Sequence, residues 1–361
     1  MQLTTNKSKL ISAIQTVQGA IGTRVALPIL SNILLEAKSN TLKLTATNLD
    51  ISISSTLEVE SQIDGAVTVP AQKFYEIISS IADDTINIEV SEKNQIKISA
   101  SKCKFRIMGI SYEEFPKLPE FDQTEALKLD ASILAEMLQL TAFAASTDEA
   151  RYTLNGILCK INKDKLIMVA TNGQKLAVIE KPITFNQEKT IIIPIKTAVE
   201  IQVNIASNKE VSLIFAENQA LFDFGKTQII SRLIEGEFPN YEGVIPAPVE
   251  QKAKINRDAF LQAVKKAALL VTPDYQATKF EFMPNKLIIS KVTPDVGDFV
   301  EEIDIEYSGT SVVIGFNPAY LIDVLKVLKD EVIEFEVVAS DKPGVIRING
   351  YIYIALPVRT E

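Results

Sequence analysis

The 361 residues contain no histidine, and that absence bounds the chemistry before any motif is considered. Histidine is the usual proton carrier near neutral pH, so Ser-His-Asp catalysis, Cys-His catalysis and His-ligated zinc are all excluded. The nearest approach to a nucleotide site is "FGKTQ" at 224–228, which ends like a phosphate-binding loop. Such a loop needs a glycine where Ala220 stands, and the flanking "LIFAENQALFDF" reads as strand rather than strand, loop and helix. Cys103 and Cys159 sit singly in strand-like segments and read as small buried apolar groups rather than reactive thiols. The acidic pairs Asp83-Asp84 and Asp148-Glu149 offer at most a weak divalent-ion site and read better as solvated turns. No catalytic residue, metal or cofactor is expected.

The elements that carry these residues fill more than one core. A chain of this length implies two or three domains, and 47% apolar with 23% charged residues implies a packed, soluble protein. "MQLTTNKSKL" lacks the apolar stretch of a secretion signal, and no apolar run approaches the ~18 residues that cross a bilayer. A cytoplasmic location without membrane contact is expected. The net charge of -9 argues against gripping nucleic acid over the whole surface, while leaving room for a locally basic face.

One phrase recurs three times: "TVPAQKFYEIISSI" at 68–81, "IIIPIKTAVEIQVNI" at 191–205 and "VVIGFNPAYLIDVLKVL" at 312–328. Each is a β-branched strand, a proline at or beside a helix start, then an amphipathic helix. The expected apolar faces are Phe74, Ile77, Ile78 and Ile81; Val199 and Val203; and Tyr320, Leu321, Val324, Leu325 and Leu328. Pro70 and Pro194 differ by 124 positions, as do Leu42 and Leu166, and the "ATN" triplets at Ala46 and Ala170. A second helix opens each unit: Leu10, Ile11, Ile14 and Val17; Ile133, Leu134, Met137, Leu138 and Thr141; and Phe260, Leu261, Val264 and Ala268. Asp130, Asn256 and Asn317 are expected caps, and Asn172-Gly173 signals a type I′ hairpin turn. Proline-rich joints at 113–121 and 236–250 divide the chain into domains at 1–120, 125–246 and 250–361. The fold class is therefore α+β: three repeats, each with two helices packed on antiparallel sheets. The edge of each sheet is a hazard unless paired, and its natural partner is the next repeat. Only the two ends of the arc stay open, and head-to-tail contact between two chains would close them into a ring. The residues alone also admit a repeat scaffold that binds proteins and encloses nothing.

The phrases "LPILSNILLEA", "TVPAQKF", "RYTLNGIL", "VATNGQKLAV", "GEFPNYEGVIP", "IGFNPAYLIDVLKVLK" and the closing "LPVR" resemble those of the bacterial DNA polymerase III beta subunits, the sliding clamps, along the whole chain. The resemblance implies that three clamp-type domains form half of a closed ring. It implies a non-catalytic processivity factor, a head-to-tail homodimer around double-stranded DNA. Further implied partners are the DNA polymerase III alpha subunit, the clamp loader and other proteins carrying a clamp-binding motif.

By resemblance, Arg24, Arg151, Tyr152 and Lys196 contact DNA, and Lys7, Lys9, Lys265 and Lys266 are further candidate lumen charges. The partner-peptide pocket is implied at Leu154, Thr171, Gly173, Leu176, Pro239, Val244, Ile354, Leu356, Pro357, Val358 and Arg359. "TNGQKLA" replaces a common "TDGHRLA" there, and Glu242-Gly243 stands where basic residues are frequent, so an altered rim charge is expected. The dimer interface is implied at Phe105 and Ile107 of one chain, against Leu269 and Leu270 of the other. Lys73, Lys102 and Lys104 would face Glu301 and Glu302 across that joint.

Overall fold

The computed structural model describes residues 1–22, 27–122, 126–148, 150–185, 187–205 and 208–359. Six α-helices occur among them: α1 (Lys7–Gln18), α2 (Ala71–Ser80), α3 (Ala131–Thr141), α4 (Ile195–Ile205), α5 (Arg257–Ala268) and α6 (Pro318–Val327). The helix starts follow capping chemistry. Asn6 Oδ1 accepts the Lys9 N–H at 3.2 Å, Asp130 Oδ1 that of Ser132 at 2.8 Å, Asn256 Oδ1 that of Ala259 at 3.0 Å and Asn317 Oδ1 that of Ala319 at 3.0 Å. Pro318 occupies the first turn of α6, where a missing N–H costs nothing.

The expected inward faces of α1, α2, α3, α5 and α6 are largely buried. That of α4 is not. Val199 and Val203 are 46% and 69% exposed, while Thr197, Ala198, Ile201 and Ile205 are buried. In "IKTAVEIQVNI" two different stripes satisfy helical spacing, and packing selected the one with the small residue at its start. The turn at Asn172 also differs from expectation. Asn172 N–H reaches Lys175 O at 3.3 Å, so Gly173 and Gln174 are the central residues, and of these only Gly173 has a positive φ, +87°. Asn172 instead accepts the Gln174 and Lys175 N–H groups on its side chain at 2.9 Å, the local bonding that asparagine favours in turns.

The structure divides into two compact bodies. The first comprises Met1–Ser132 with Val199–Leu233, the second Ile133–Ala198 with Ile234–Glu361. The first holds two sheets. One has five strands in the order Glu60–Ile63, Gln2–Asn6, Thr85–Val90, Gln95–Ala100 and Cys103–Met108. The other has eight: Leu127–Asp130, Glu210–Phe215, Gln219–Asp223, Thr227–Arg232, Ile51–Glu58, Thr41–Thr47, Asn32–Lys38 and Gly65–Pro70. The second body holds one sheet of twelve strands. Its order is Lys189–Pro194, Gly156–Ile161, Lys165–Thr171, Lys175–Pro182, Tyr351–Ala355, Gly344–Ile348, Val332–Glu336, Ala253–Asn256, Gly297–Glu306, Lys286–Thr293, Thr278–Met283 and Val312–Phe316.

The middle repeat thus gives four strands to each of the two larger sheets. Its seams with its neighbours repeat one register: Ile51 pairs with Ser231 in one sheet, Lys175 with Ala355 in the other. Both partners are displaced by the same 124 positions that separate Pro70 from Pro194. The "FGKTQ" stretch lies in the hairpin between Gln219–Asp223 and Thr227–Arg232, with Gly225 at φ +83°, so it is a turn and not a phosphate loop.

Burial fixes both cysteines' character differently. Cys159 is fully buried, and desolvation of the thiolate pushes its thiol up to about 12, whereas Cys103 is only partly buried. The third repeat is centred on phenylalanines: the Phe335 ring lies 5.7 Å from Phe282, 5.9 Å from Phe316 and 6.1 Å from Phe260. Phe335→Ala removes the ring common to all three contacts. The expected loss is about 3–5 kcal/mol, read as a lowered urea midpoint of the cooperative transition that carries this repeat.

Candidate functional site

Within the second body, Leu154, Thr171, Gly173, Leu176, Pro239, Val244, Ile354 and Leu356 line one cavity of about 190 Å³. Four separated segments supply them, Leu154 coming from the short helical turn Tyr152–Asn155. The hairpin between Lys165–Thr171 and Lys175–Pro182 gives the floor, the 239–244 segment one wall, and Tyr351–Ala355 with Leu356 the other. The ladder that pairs Leu176 with Ile354 sets these two buried side chains next to each other. Leu356 N–H continues it by reaching Gln174 O at 2.9 Å. Val244 and Leu356 remain exposed at the mouth, so the cavity is an apolar slot open to solvent.

Gln174, Lys175, Asn240 and Tyr241 also line the cavity and were not anticipated. Pro357, Val358 and Arg359 do not line it: beyond Leu356 the chain turns to the sheet edge, where Val358 N–H meets Gly315 O at 2.8 Å. Lys175 is the surprising member, a lysine only 7% exposed. Its Nζ donates to Asp323 Oδ2 at 2.8 Å and stands 5.2 Å and 5.4 Å from the Tyr320 and Phe143 ring centres. Tyr320 in turn donates its hydroxyl to Gln174 Oε1, and Tyr353 donates to Tyr320 O at 2.7 Å. Helix α6 is thereby tied to the hairpin that floors the cavity. Asp323 lies 148 positions from Lys175, so nothing in "TNGQKLA" could reveal the pair.

The rim carries Lys160 and Glu242, paired at 3.1 Å, with the ammonium 5.4 Å from the Tyr241 ring centre. The hydrogen bond from Lys160 holds the Glu242 carboxyl below its ordinary range, and the same bond raises Lys160. Above the carboxylate range this part of the rim is neutral overall, which specifies the altered rim charge. Arg151 donates from Nη1 to Asn172 O at 2.8 Å and Tyr152 is 59% exposed, at the start of the short helical turn Tyr152–Asn155. Lys196 is exposed on α4, and Arg24 lies outside the described residues.

Among the other lysines, Lys7 is occupied by the carbonyls of Ser79 and Ile81 at the end of α2, and Lys266 pairs with Glu301 at 2.8 Å. Lys9 is exposed and Lys265 half-buried. Lys73 pairs with Glu76 at 2.6 Å and Glu302 with Lys286 at 3.1 Å within the chain. Phe105 and Ile107 are half-buried on Cys103–Met108, the edge strand of the five-stranded sheet. Leu269, at the end of α5, is 81% exposed, and Leu270 beside it is half-buried.

Repeats joined edge to edge around an apolar slot define a binding protein of clamp-type domains. Family models for the DNA polymerase III beta subunit match in series, the N-terminal domain over residues 1–119, the central domain over 128–240 and the C-terminal domain over 242–354. The beta sliding clamp of Staphylococcus aureus is 29% identical, with 100% of both chains covered, and that of Chlamydia muridarum 28%, with 99% of each covered. Solved sliding clamps from Bacillus subtilis and Streptococcus pyogenes superpose over 100% of both chains with a TM-score of 0.95 at 28% identity. The chain belongs to the DNA polymerase III beta subunit family, whose members serve DNA replication as sliding clamps: processivity factors that catalyse no reaction.

The Lys175–Asp323 pair gives a test of how the slot is held. Asp323→Asn leaves a buried ammonium without its anion, at an expected cost of about 1–2 kcal/mol, moderated because Asp323 is a third exposed. The unfolding midpoint should fall accordingly, and protection of the 171–176 hairpin amides from exchange should weaken with it. Asp323→Glu should recover part of both.

Proposed function

We propose that two copies of this chain close head to tail into a ring around double-stranded DNA, and that the slot tethers the DNA polymerase III alpha subunit, the clamp loader and other proteins with a clamp-binding motif. The three domains span 1–120, 125–246 and 250–361, and the ring works in the cytoplasm. The observation that carries this reading is the repeated seam. Inside the chain, the last strand of one repeat pairs with the fourth strand of the repeat before it, twice, in one register. A third instance is left open at both ends. Among the described residues, Cys103–Met108, the last strand of the first repeat, has one free edge, and Gly297–Glu306 is paired on its second edge only at Ile305 and Glu306. Unpaired edges of this kind are satisfied by another chain, and a heterologous contact that closes makes a ring.

The register follows from the internal copies. Leu166 pairs with Lys181 and Leu287 with Ile303, so Gly297 stands where Lys175 does, six positions before the paired residue. Ile107 stands where Ser231 does, displaced by 124. The seam between copies then sets Phe105 opposite Phe299 and Arg106 opposite Asp298 of the second copy, with Leu269 and Leu270 beside it. Cross-strand pairs of these kinds contribute roughly 0.2–1 kcal/mol each. Arg151, Tyr152, Lys196 and Arg24 supply sparse contacts to the phosphate backbone. Weak, sequence-independent contacts suit a ring that must stay on DNA and still move along it, and the net charge of -9 accords with that.

Two measurements test the reading. The loaded protein should be retained on circular DNA at high salt and lost from linear DNA; equal loss from both would contradict enclosure. Arg106→Glu should weaken the dimer about tenfold, because each of two seams loses roughly 0.7 kcal/mol. Combining it with Asp298→Arg should restore the dimer, as read by native mass spectrometry or sedimentation.

A further inference from the structure

A second cavity, of about 540 Å³, adjoins the slot and shares Pro239, Asn240 and Tyr241 with it. Its floor is apolar, built by Leu158, Ile192, Ile234 and the half-buried Phe238. Along one side runs Lys189–Pro194, the edge strand of the twelve-stranded sheet.

The same edge occurs in the first repeat. There it is closed at the counterpart of Ile192: Thr68 and Ile110 exchange two backbone hydrogen bonds of 3.1 and 3.2 Å, and Thr68 Oγ1 adds a third to Ile110 O at 3.0 Å, while Ala66, the counterpart of Thr190, receives no backbone bond on that side among the described residues. Phe115 fills the space beside it against Ile29, Leu30 and Leu34. In the middle repeat Ile192 and Ile234, each displaced by 124, keep a single described bond, Ile234 N–H to Ile192 O at 3.0 Å. Since Ile192 O points outward, the two-residue alternation of an antiparallel strand turns the N–H and C=O of Thr190 to the same side. Thr190 lines the cavity, is exposed, and receives no backbone bond on that side among the described residues.

We infer that this trough is a secondary docking groove for the extended flank of a peptide anchored in the slot. The flank crosses the Pro239–Tyr241 wall, adds one short strand at Thr190 and sets an apolar side chain on the Leu158–Ile192 floor. The inference rests on the slot being the peptide site. Three features select this occupant over an independent ligand: the shared wall makes the two cavities one continuous path, the open edge suits an extended backbone, and the apolar floor suits alternate side chains. With Glu242 neutralised by Lys160, Glu237 leaves one net negative charge at the margin, which favours a flank that carries a basic rather than an acidic residue.

Nested peptides from the DNA polymerase III alpha subunit of the same organism test this, one of about six residues covering the anchor and one of about fourteen that includes its flanks. The full-length protein should bind the longer peptide about tenfold more tightly. Thr190→Pro removes only an outward-facing donor on an edge strand, a substitution such strands accept. It should bring the longer peptide to the affinity of the shorter and leave the shorter unchanged. Amide exchange at Thr190 in the native protein should slow with the longer peptide alone. Equal affinities for the two peptides, or unchanged exchange at Thr190, would overturn the groove while leaving the slot intact. Leu176→Asp should abolish binding of both peptides. If neither peptide binds the native protein, the slot itself is misassigned and the groove falls with it.

Discussion

The backbone N–H and C=O groups at a sheet edge must find partners, and in this protein that requirement organises everything larger than a repeat. Each repeat leaves sheet edges to be paired, and the chain pairs them by laying the last strand of one repeat against the fourth strand of the repeat before it. The consequence is visible in the middle repeat, whose strands are divided evenly between the eight-stranded and twelve-stranded sheets. Compactness therefore does not follow the repeat boundaries: the two bodies each contain part of the middle repeat.

Much of this was legible in the residues. The offset of 124, read from Pro70 and Pro194 or Leu42 and Leu166, is the same offset that relates Ile51–Ser231 to Lys175–Ala355. Helix caps at Asp130, Asn256 and Asn317 were legible because capping is local chemistry. The inward face of α4 was not, because "IKTAVEIQVNI" is apolar on two stripes and only tertiary packing chooses between them. The turn at Asn172 was recognisable as a hairpin but not in its phase, since the asparagine side chain competes for the backbone positions. Of the slot, the aliphatic lining was named through the family resemblance, and those side chains line one cavity. Pro357, Val358 and Arg359 were carried along with their neighbours, although a single ladder step past Leu356 takes them to a different edge. Lys175 escaped notice because its burial depends on Asp323, Tyr320 and Phe143, all distant in sequence.

The electrostatics separate two duties. At the slot, charge is neutralised locally: Lys175 by Asp323 in the interior, Lys160 by Glu242 at the rim. Apolar contact is left as the slot's main means of recognition. Two of the lysines that a reader of the sequence would assign to nucleic acid are instead engaged by the fold, Lys7 by carbonyls at the end of α2 and Lys266 by Glu301. Lys9, Lys196 and Lys265 make no ion pair among the described residues.

The position of Tyr351–Ala355 has a temporal meaning. One wall of the slot comes from the strand that also forms the seam between the middle and last repeats, so the recognition surface and the joint are a single object. During translation the hairpin at 171–176 emerges long before residues 351–356, and until these arrive Leu176 has no Ile354 beside it. A half-made chain therefore has no complete slot. The cavity closes only once the final seam has zipped, so the same few hydrogen bonds that join the repeats also finish its wall.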